Sequence, residues 1–284
     1  MTSILLGLLT ALCWGWADVL ARFTGRALGA QGSLFGMMLA GTLGLSLWMT
    51  LDGQPWPGIP SWWTIGTAVL AAAAMLLFYE ALRRGPVSLA SPAASAYPAW
   101  AVLISMALGV VPPLGALAAM TVTMLGVLLV ARYAIPEPGS TEAPAHRHVT
   151  FALAMIASIS FSVLLLTGQQ AILIDGELRV LWWGRASAAL LMAGVLLFSP
   201  RPPDLTWRSG GLAVLQGLLD TLGLALLFAA GRGLDGTMAA VASSSFGVVT
   251  VLLARLLYKE RLSPGQGVGI LAVFLGVAGL AALA

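Results

Sequence analysis

The chain has 284 residues, of which 59% are hydrophobic and only 9% are charged. Because an ordinary soluble domain carries roughly 25% charged residues, this composition excludes a soluble fold and predicts a membrane protein. The net charge of +3 does not indicate a nucleic-acid partner, since the basic residues are scattered singly along the chain rather than clustered.

Apolar runs long enough to cross the hydrocarbon core of a bilayer, about 20 residues each, follow one another along the chain. They predict an all-α membrane protein with ten spans. The first span lacks the basic residues and cleavage site of a secretory signal. Cys13, the single cysteine, lies in it and excludes an intramolecular disulfide. The predicted spans cover residues 3–24, 34–51, 62–82, 87–108, 113–133, 149–173, 178–199, 209–231, 236–257 and 264–283.

Two stretches of the chain are similar at a shift of 149 residues. ALRRGPVSLASPAASAYPAW at 81–100 matches AGRGLDGTMAAVASSSFGVV at 230–249, and MLGVLLV at 124–130 is echoed by FLGVAGL at 274–280. Each half holds five predicted spans, so the second half enters the membrane from the opposite side. Such inverted repeats are typical of secondary transporters. We predict a first repeat at 1–133, an exposed linker at 134–148 and a second repeat at 149–284.

Basic residues predict the orientation of the chain, because they favour the cytoplasmic side of short loops. Of the fourteen Lys and Arg residues, Arg179 and Arg232 lie at one face and Arg185 lies within a span. The other eleven lie at the ends of odd-numbered spans, which predicts that both termini face outward. These eleven are Arg22, Arg26, Arg83, Arg84, Arg132, Arg147, Arg201, Arg208, Arg255, Lys259 and Arg261.

The fourth and ninth predicted spans contain residues that interrupt or loosen a helix. Pro92 and Pro98, together with Pro86, remove backbone donors from the fourth span, so it should bend. Gly247 occupies the position of Pro98 in the ninth span, after the serine run at 243–245, and small residues allow close helix contacts. We expect a gating hinge at Pro92, Pro98 and Gly247. The alternative is that both spans are simply tightly packed helices.

Charged residues within spans are costly and usually face a cavity or a partner. Asp18 lies four residues before Arg22, and Glu80 lies four residues before Arg84, the spacing of an ion pair on one helix face. Each pair is therefore either a structural ion pair or part of a site.

Arg185 and Asp220 lie deeper in their spans, and Gln216 shares a helix face with Asp220. Arg185 either binds a substrate carboxylate, for which its planar guanidinium is suited, or pairs with Asp220. A coupling proton would require a carboxyl group that titrates as the cavity alternates. Asp220 is the first candidate for this group and Asp18 the second.

Aromatic residues divide into two groups. Five tryptophans lie at span ends, as expected of an interfacial belt: Trp48, Trp56, Trp62, Trp63 and Trp207. Others lie nearer the middle of spans and could line a cavity that stacks a flat ring or holds an ammonium group. The predicted substrate-binding set is Trp14, Trp16, Tyr79, Tyr97, Trp100, Trp182, Arg185, Gln216, Asp220 and Phe246.

Three segments carry a resemblance to a known family: CWGWAD at 13–18, ALRRGPVSLASP at 81–92 and LLYKERLSPGQGVGILAVFLGVAGL at 256–280. They resemble EamA-type members of the drug/metabolite transporter superfamily, across essentially the whole chain. This resemblance implies a ten-span exporter of the bacterial inner membrane, similar in general character to aromatic amino-acid exporters of the YddG type. Family members are often drawn with cytoplasmic termini, opposite to the orientation that the charges predict.

We therefore predict a transporter that exports small metabolites, most simply amino acids including aromatic ones, by alternating access. The alternatives are efflux of lipophilic cations and a passive channel. Its partners would be the substrate and the lipid bilayer, with no cofactor, metal or nucleic acid. An enzyme is disfavoured because His146 and His148 lie in the linker and no hydrolase motif occurs. Gly265 and Gly269 could serve a homodimer or the chain's own helix contacts, so the chain is a monomer or a homodimer.

Overall fold

The computed structural model describes residues 2–135, 144–199, 205–230, 239, 242–243 and 245–283. Most of the linker, together with Arg201, Arg232 and Ser244, lies outside these residues. Every regular element within them is an α-helix. The helices are α1 Thr2–Leu51, α2 Trp62–Arg84, α3 Val87–Ser95, α4 Tyr97–Ala107, α5 Leu114–Tyr133, α6 Pro144–Asp175, α7 Glu177–Leu197, α8 Trp207–Ala229, α9 Phe246–Leu257 and α10 Pro264–Leu283.

Helix α1 contains both the first and the second predicted span, joined at Gly29. Gly29 has a φ of 74° and a ψ of 162°, a conformation that glycine adopts without steric cost. The hydroxyl oxygens of Thr24 and Ser33 lie 2.6 Å apart, although nine residues would separate them by about 13 Å along a straight helix. The chain therefore folds back at Gly29.

The described helices include seven segments long and apolar enough to cross a membrane, with α1 and the α3–α4 pair each taken as one segment. Shorter apolar helices cover Phe246–Leu257 and Pro264–Leu280. Leucines on the outer surface, such as Leu43, Leu128 and Leu190, are strongly exposed, as a lipid-facing surface requires. The five tryptophans predicted for the interfacial belt are also exposed.

The fourth predicted span is broken, as its prolines suggested. Helix α3 ends at Ser95 and α4 starts at Tyr97, with Ala96 between them at φ −74° and ψ 3°. In the ninth span α9 starts at Phe246, after Ser245 at φ −70° and ψ −1°. Ala96 and Ser245 are 149 residues apart, the shift of the sequence repeat. The two breaks therefore occupy equivalent positions.

Helices α5 and α10 pack closely through glycines. A Cβ atom added to Gly269 would lie 2.7 Å from the Val130 amide nitrogen, and one on Gly126 would lie 2.6 Å from the Val273 amide nitrogen. A Cβ atom added to Gly265 would lie 2.7 Å from the Tyr133 ring. The Gly265–Gly269 surface is therefore used for contacts within the chain.

The interior is formed where α1, α2 and α3 meet the second half of the chain. Helix α1 packs on α8, and α2 packs on α6 and α7. Helix α5 pairs with α10, and α3 contacts α9. Fully buried side chains at this centre include Leu34, Met37, Tyr79, Leu82 and Val87. This packing places a cavity between the two halves.

Candidate functional site

A cavity of about 390 Å³ lies between helices of both halves. Six of its side chains are aromatic, two are carboxylates and none is basic. Its lining consists of Trp14, Ala17, Asp18, Met75, Phe78, Tyr79, Ala94, Ser95, Tyr97, Phe161, Leu164, Leu165, Asp220 and Phe246.

The aromatic side chains of the cavity contact one another at their edges. Trp14 and Phe246 are nearly perpendicular, with ring centroids 5.9 Å apart. Phe161 lies edge-on to Tyr97 at 6.3 Å and to Phe78 at 6.1 Å. Edge-to-face contacts fix the orientation of each ring, while the remaining ring faces stay available to a ligand. Such faces can stack a flat ring or attract an ammonium group.

Asp18 connects α1 to both broken helices. Its Oδ2 accepts a hydrogen bond from the Thr250 hydroxyl of α9 at 3.0 Å and a longer one from the Ser91 hydroxyl of α3 at 3.5 Å. The Asp18 residue is 8% exposed. The Asp18–Arg22 ion pair considered from spacing is replaced by an ion pair between Arg22 and Glu260. The other pair considered from spacing is present: Glu80 binds Arg84 at 2.7 Å, and also Arg83.

Asp220 lines the cavity and is paired with Arg185. The Arg185 Nη2 atom lies 2.6 Å from Asp220 Oδ2. Arg185 itself lies behind the lining, and its Nε and Nη1 atoms are buried without a hydrogen-bond partner among the described residues. Trp14 Nε1 donates to the Asp220 backbone carbonyl at 3.3 Å, which fixes the indole at the cavity wall.

Tyr79 is held from behind by Gln216. The Gln216 side-chain amide donates to the Tyr79 hydroxyl at 2.7 Å, and its carbonyl oxygen accepts a hydrogen bond from Thr24 at 2.8 Å. Gln216 is completely buried, so it orients Tyr79 and does not itself line the cavity.

Three of the predicted tryptophans lie outside the cavity lining. Trp16 is 41% exposed on the outer surface. Trp182 donates to the Ser46 hydroxyl at 2.9 Å and packs edge-on against Trp56. Trp100 has a buried indole nitrogen with no hydrogen-bond partner in the described part of the chain.

Four residues of the site were not expected from the sequence. Phe78 and Phe161 line the cavity, and Ser91 and Thr250 are hydrogen-bond partners of Asp18 outside the lining. None of them carried a signal, because phenylalanine and small hydroxyl residues occur throughout membrane helices. Among the described residues no group of three or more His, Cys, Asp or Glu side chains is placed to hold a metal ion. The cavity therefore offers an apolar and aromatic surface together with two carboxylates.

A family of membrane transporters matches this chain in sequence. The profile of the EamA-like transporter family matches residues 1–132 and 149–282. The chain belongs to the EamA-like transporter family. This EamA-like protein is therefore a multi-pass membrane transporter of the drug/metabolite transporter superfamily.

Two known proteins match this EamA-like transporter over nearly its full length. An uncharacterized transporter from Archaeoglobus fulgidus is 27% identical over 293 residues, which cover 98% of this chain and 97% of the relative. A protein with a solved crystal structure is 20% identical, covers 99% of this chain with 96% of its own length and superposes with a TM-score of 0.63. The second likeness concerns the fold alone.

Proposed function

We propose that this EamA-like transporter exports small amine-bearing metabolites, with amino acids including aromatic ones as the leading substrates. The observation that carries the proposal is the pairing of two carboxylates with six aromatic side chains in one cavity. A substrate ammonium group would bind Asp18 or Asp220, and an apolar or aromatic side chain would pack on Trp14 and Phe246. Release would be to the outside of a bacterial inner membrane.

Arg185 gives the amino-acid proposal its specific support. It is an arginine with two buried nitrogen atoms that lack partners in the described structure, next to a carboxylate of the cavity. Buried donors of this kind are unfavourable until they are hydrogen-bonded. A substrate carboxylate that reached past Asp220 would bond them, while Asp220 would take the ammonium group.

Alternating access is supported by the similarity of the two halves. The family profile matches twice, and α5 and α10 begin at Leu114 and Pro264, 150 residues apart. The contacts of α1 with α8 correspond to those of α6 and α7 with α2, when the halves are exchanged. We therefore propose ten spans in two inverted five-span repeats, with α1 contributing two spans.

The broken helices are the proposed gating elements. The breaks at Ala96 and Ser245 adjoin Pro98 and Gly247. Pro92 lies inside α3, one turn before the first break. A Cβ atom on Gly247 would lie 3.5 Å from the Ser91 hydroxyl, so the two broken helices are close enough to move together. Bending at Pro92, Pro98 and Gly247 would open one side of the cavity while closing the other.

Asp18 is the coupling residue that the geometry supports better than Asp220. Asp220 has a guanidinium at 2.6 Å, so its negative charge is compensated. The described hydrogen-bond donors to Asp18 are hydroxyl groups, which can bind a charged or a neutral carboxyl. Asp18 could therefore take up and release a proton as the cavity changes its exposure to water.

Efflux of lipophilic cations is the second candidate function. The cavity lining contains two carboxylates and no basic side chain, and most of the remaining lining is apolar. Unlike an amino acid, a lipophilic cation has no carboxylate group that must be paired with an arginine. It would therefore bind to this lining without contacting Arg185.

Ligand-induced stabilisation of the purified transporter tests the substrate class. A ligand at a hundredfold excess over its dissociation constant stabilises the folded state by about 2.7 kcal/mol. We expect phenylalanine to raise the unfolding temperature of the parent protein and to do so less in Phe246→Ala, with Trp207→Ala, an exposed tryptophan far from the lining, as the control. Stabilisation by tetraphenylphosphonium, and not by any amino acid, would replace the amino-acid proposal with the second candidate.

A further inference from the structure

A second buried polar cluster lies one helical turn beyond Asp18 on α1. Arg22 is fully buried and forms an ion pair with Glu260, in the loop between α9 and α10. The Arg22 guanidinium lies over the Tyr258 ring, 4.6 Å from its centroid. The Tyr258 hydroxyl donates to the Val19 carbonyl at 2.8 Å. These contacts fix the α9–α10 loop against the middle of α1.

Glu260 also binds the start of α3. Its Oε1 atom accepts a hydrogen bond from the Val87 amide at 2.8 Å, and its Oε2 atom accepts one from the Ser88 amide at 2.9 Å. Pro86, the residue before α3, provides no side-chain cap. The first amides of a helix lack partners within the helix, and a carboxylate placed there is favourable. Glu260 therefore balances Arg22 and caps α3 at the same time.

The cluster lies at the basic end of the bundle, which is the end that holds Arg26, Arg83 and Arg147. Arg26 donates to the Arg83 carbonyl, and Arg147 donates to the Ala131 carbonyl at the end of α5. Residues Val87 and Ser88 are buried beneath this end. The cavity is therefore separated from the basic end by the Arg22–Glu260 pair and the start of α3.

At the shift of the sequence repeat, the positions equivalent to this pair hold uncharged residues. Because α10 starts 150 residues after α5, Glu260 corresponds to Val110 in the loop before α5. At the shift of 149, Arg22 corresponds to Ala171. In an inverted repeat these two apolar residues lie at the opposite end of the protein.

We infer that Arg22 and Glu260 form an ion-pair latch that holds the basic end closed and separates each time the cavity opens to that end. The inference rests on the proposed alternating-access function. Both charges are buried in the closed state, where they are paired with each other. A charge that lost its partner there would be strongly unfavourable, whereas in the open state water can hydrate both charges. Because the positions equivalent to Arg22 and Glu260 are apolar, this pair favours closure of the basic end alone. Substrate from the cytoplasm must then shift the equilibrium toward opening of that end.

Access to the cavity from each side tests the latch without any substrate. Ala94 lines the cavity on α3, and Cys13 is the single cysteine, so Cys13→Ser with Ala94→Cys provides one reporter thiol. A charged, membrane-impermeant maleimide is applied to right-side-out and to inside-out vesicles. A separate Lys259→Cys variant identifies the vesicles that expose the basic end.

We expect Glu260→Gln to raise the rate of Ala94→Cys labelling from the basic end by about tenfold, which corresponds to about 1.4 kcal/mol in the opening equilibrium. Labelling from the opposite end should not rise. Arg261→Gln is the matched control, because it removes an exposed charge from the same loop. Equal labelling rates in the parent, Glu260→Gln and Arg261→Gln would overturn the inference.

Arg22→Gln provides the second variant if Glu260→Gln does not give a monodisperse protein. Glu260 keeps its hydrogen bonds to the Val87 and Ser88 amides in that variant, so the same increase in labelling is expected. Failure of both variants to fold would assign the pair to folding and overturn its gating role. Because labelling needs no substrate, an incorrect substrate class would leave this result unchanged, and the two failures can be distinguished.

Discussion

At the level of single residues, the two carboxylates of the cavity differ in how their charge is balanced. Asp220 is paired with the guanidinium of Arg185, whereas Asp18 accepts hydrogen bonds from the hydroxyl groups of Thr250 and Ser91. Removal of the Asp220 charge should therefore mainly lower the free energy of unfolding. Removal of the Asp18 charge should mainly abolish the coupling of transport to protons.

The buried guanidinium of Arg185 makes Asp220 important for stability. In Asp220→Asn the Arg185 charge, whose side chain is 7% exposed, loses its counter-ion. We expect a loss of about 3 kcal/mol in unfolding free energy, measured by denaturant titration of the purified protein. The double variant Arg185→Met with Asp220→Leu, which removes both charges, should recover most of it. An Asp220→Asn protein as stable as the parent would contradict the importance of the pair.

Asp18 is expected to control coupling and not stability. In Asp18→Asn the side-chain oxygen can still accept hydrogen bonds from Thr250 and Ser91, so the fold should be retained. A pH gradient across proteoliposomes should accelerate transport by the parent protein and no longer by Asp18→Asn. Asp52→Asn, at an exposed position after α1, is the control. Gradient-driven transport that persists in Asp18→Asn would assign the coupling to another group.

Part of the site could be predicted from single residues. Charge depth and aromatic character selected Trp14, Tyr79, Asp220 and Phe246, which all line the cavity. Spacing could not reveal the partner of Arg22, because Glu260 is 238 residues away and reaches Arg22 only in the folded chain. Phe161 carried no signal, since a phenylalanine fits lipid, core and cavity equally well.

At the level of helices, the broken spans and the closely packed glycines determine what can move and what cannot. At the α3–α4 break, Ala96 lies between the two helices, with a φ of −74° and a ψ of 3°. The α5–α10 pair has its backbones in contact through Gly126 and Gly269. The α3–α4 break is expected to govern the turnover rate, and the α5–α10 contact is expected to govern the stability of the fold.

Prolines of the fourth span should affect turnover more than binding. Replacing both Pro92 and Pro98 with alanine restores backbone donors and favours a straight helix across Ala96. We expect transport to slow by about tenfold, or 1.4 kcal/mol, with unchanged ligand-induced stabilisation. Pro55→Ala, in the exposed loop after α1, is the control. A fully active double variant would show that these prolines serve packing alone.

Glycines of α10 provide a matched pair for testing helix packing. A Cβ atom on Gly269 would lie 2.7 Å from the Val130 amide, whereas Gly267 has no atom within 4 Å of such a position. Gly269→Ala should destabilise the protein by about 1–3 kcal/mol, while Gly267→Ala should be neutral or stabilising by up to about 1 kcal/mol. Thermal unfolding of the two purified variants measures the difference. Equal stabilities would argue against the close crossing.

The helices were more predictable than their junctions. Apolar length located most spans, and the prolines predicted a bend in the fourth one. Sequence could not place the break at Ala96, because the prolines lie on both sides of it. The separate first and second spans predicted a reversal between residues 24 and 34, but not its position at Gly29, since nothing in the residues around this glycine requires a positive φ.

At the level of the whole molecule, the charges define two different ends. The basic end holds Arg22, Arg26, Arg83 and Arg147, of which Arg26 donates to the Arg83 carbonyl. At the other end Asp175 accepts hydrogen bonds from Ser61 and Thr64, and Arg179 lies beside it. Basic residues favour the cytoplasmic side, so the basic end should face the cytoplasm and both termini the outside.

Cysteine labelling in intact cells tests this orientation. In a Cys13→Ser background, a cysteine at Gln54 should react with a membrane-impermeant maleimide from outside. A cysteine at Lys259 should react only after the membrane is permeabilised. Both positions are exposed in the structure, so accessibility of the thiol is not limiting. The reverse pattern would place the termini in the cytoplasm, as the family resemblance suggested.

The twofold pattern of the chain was visible in the sequence because similar residues recur at one fixed shift. Ala96 and Ser245, which carry the two helix breaks, follow that shift. Substrate chemistry was less predictable, because it depends on which side chains of distant helices reach one cavity. Trp16 and Trp182 had the same sequence signal as Trp14, yet the fold places them outside the lining.

We propose that the aromatic, carboxylate-lined cavity carries amino acids across the membrane. Exchange of radiolabelled phenylalanine, compared with threonine, in liposomes that contain the purified protein tests it most directly. We predict saturable exchange that unlabelled substrate competes for and that is weaker in Phe246→Ala than in Trp207→Ala. Movement that rises linearly with concentration would indicate a channel, and absence of amino-acid exchange alongside exchange of tetraphenylphosphonium would contradict the claim.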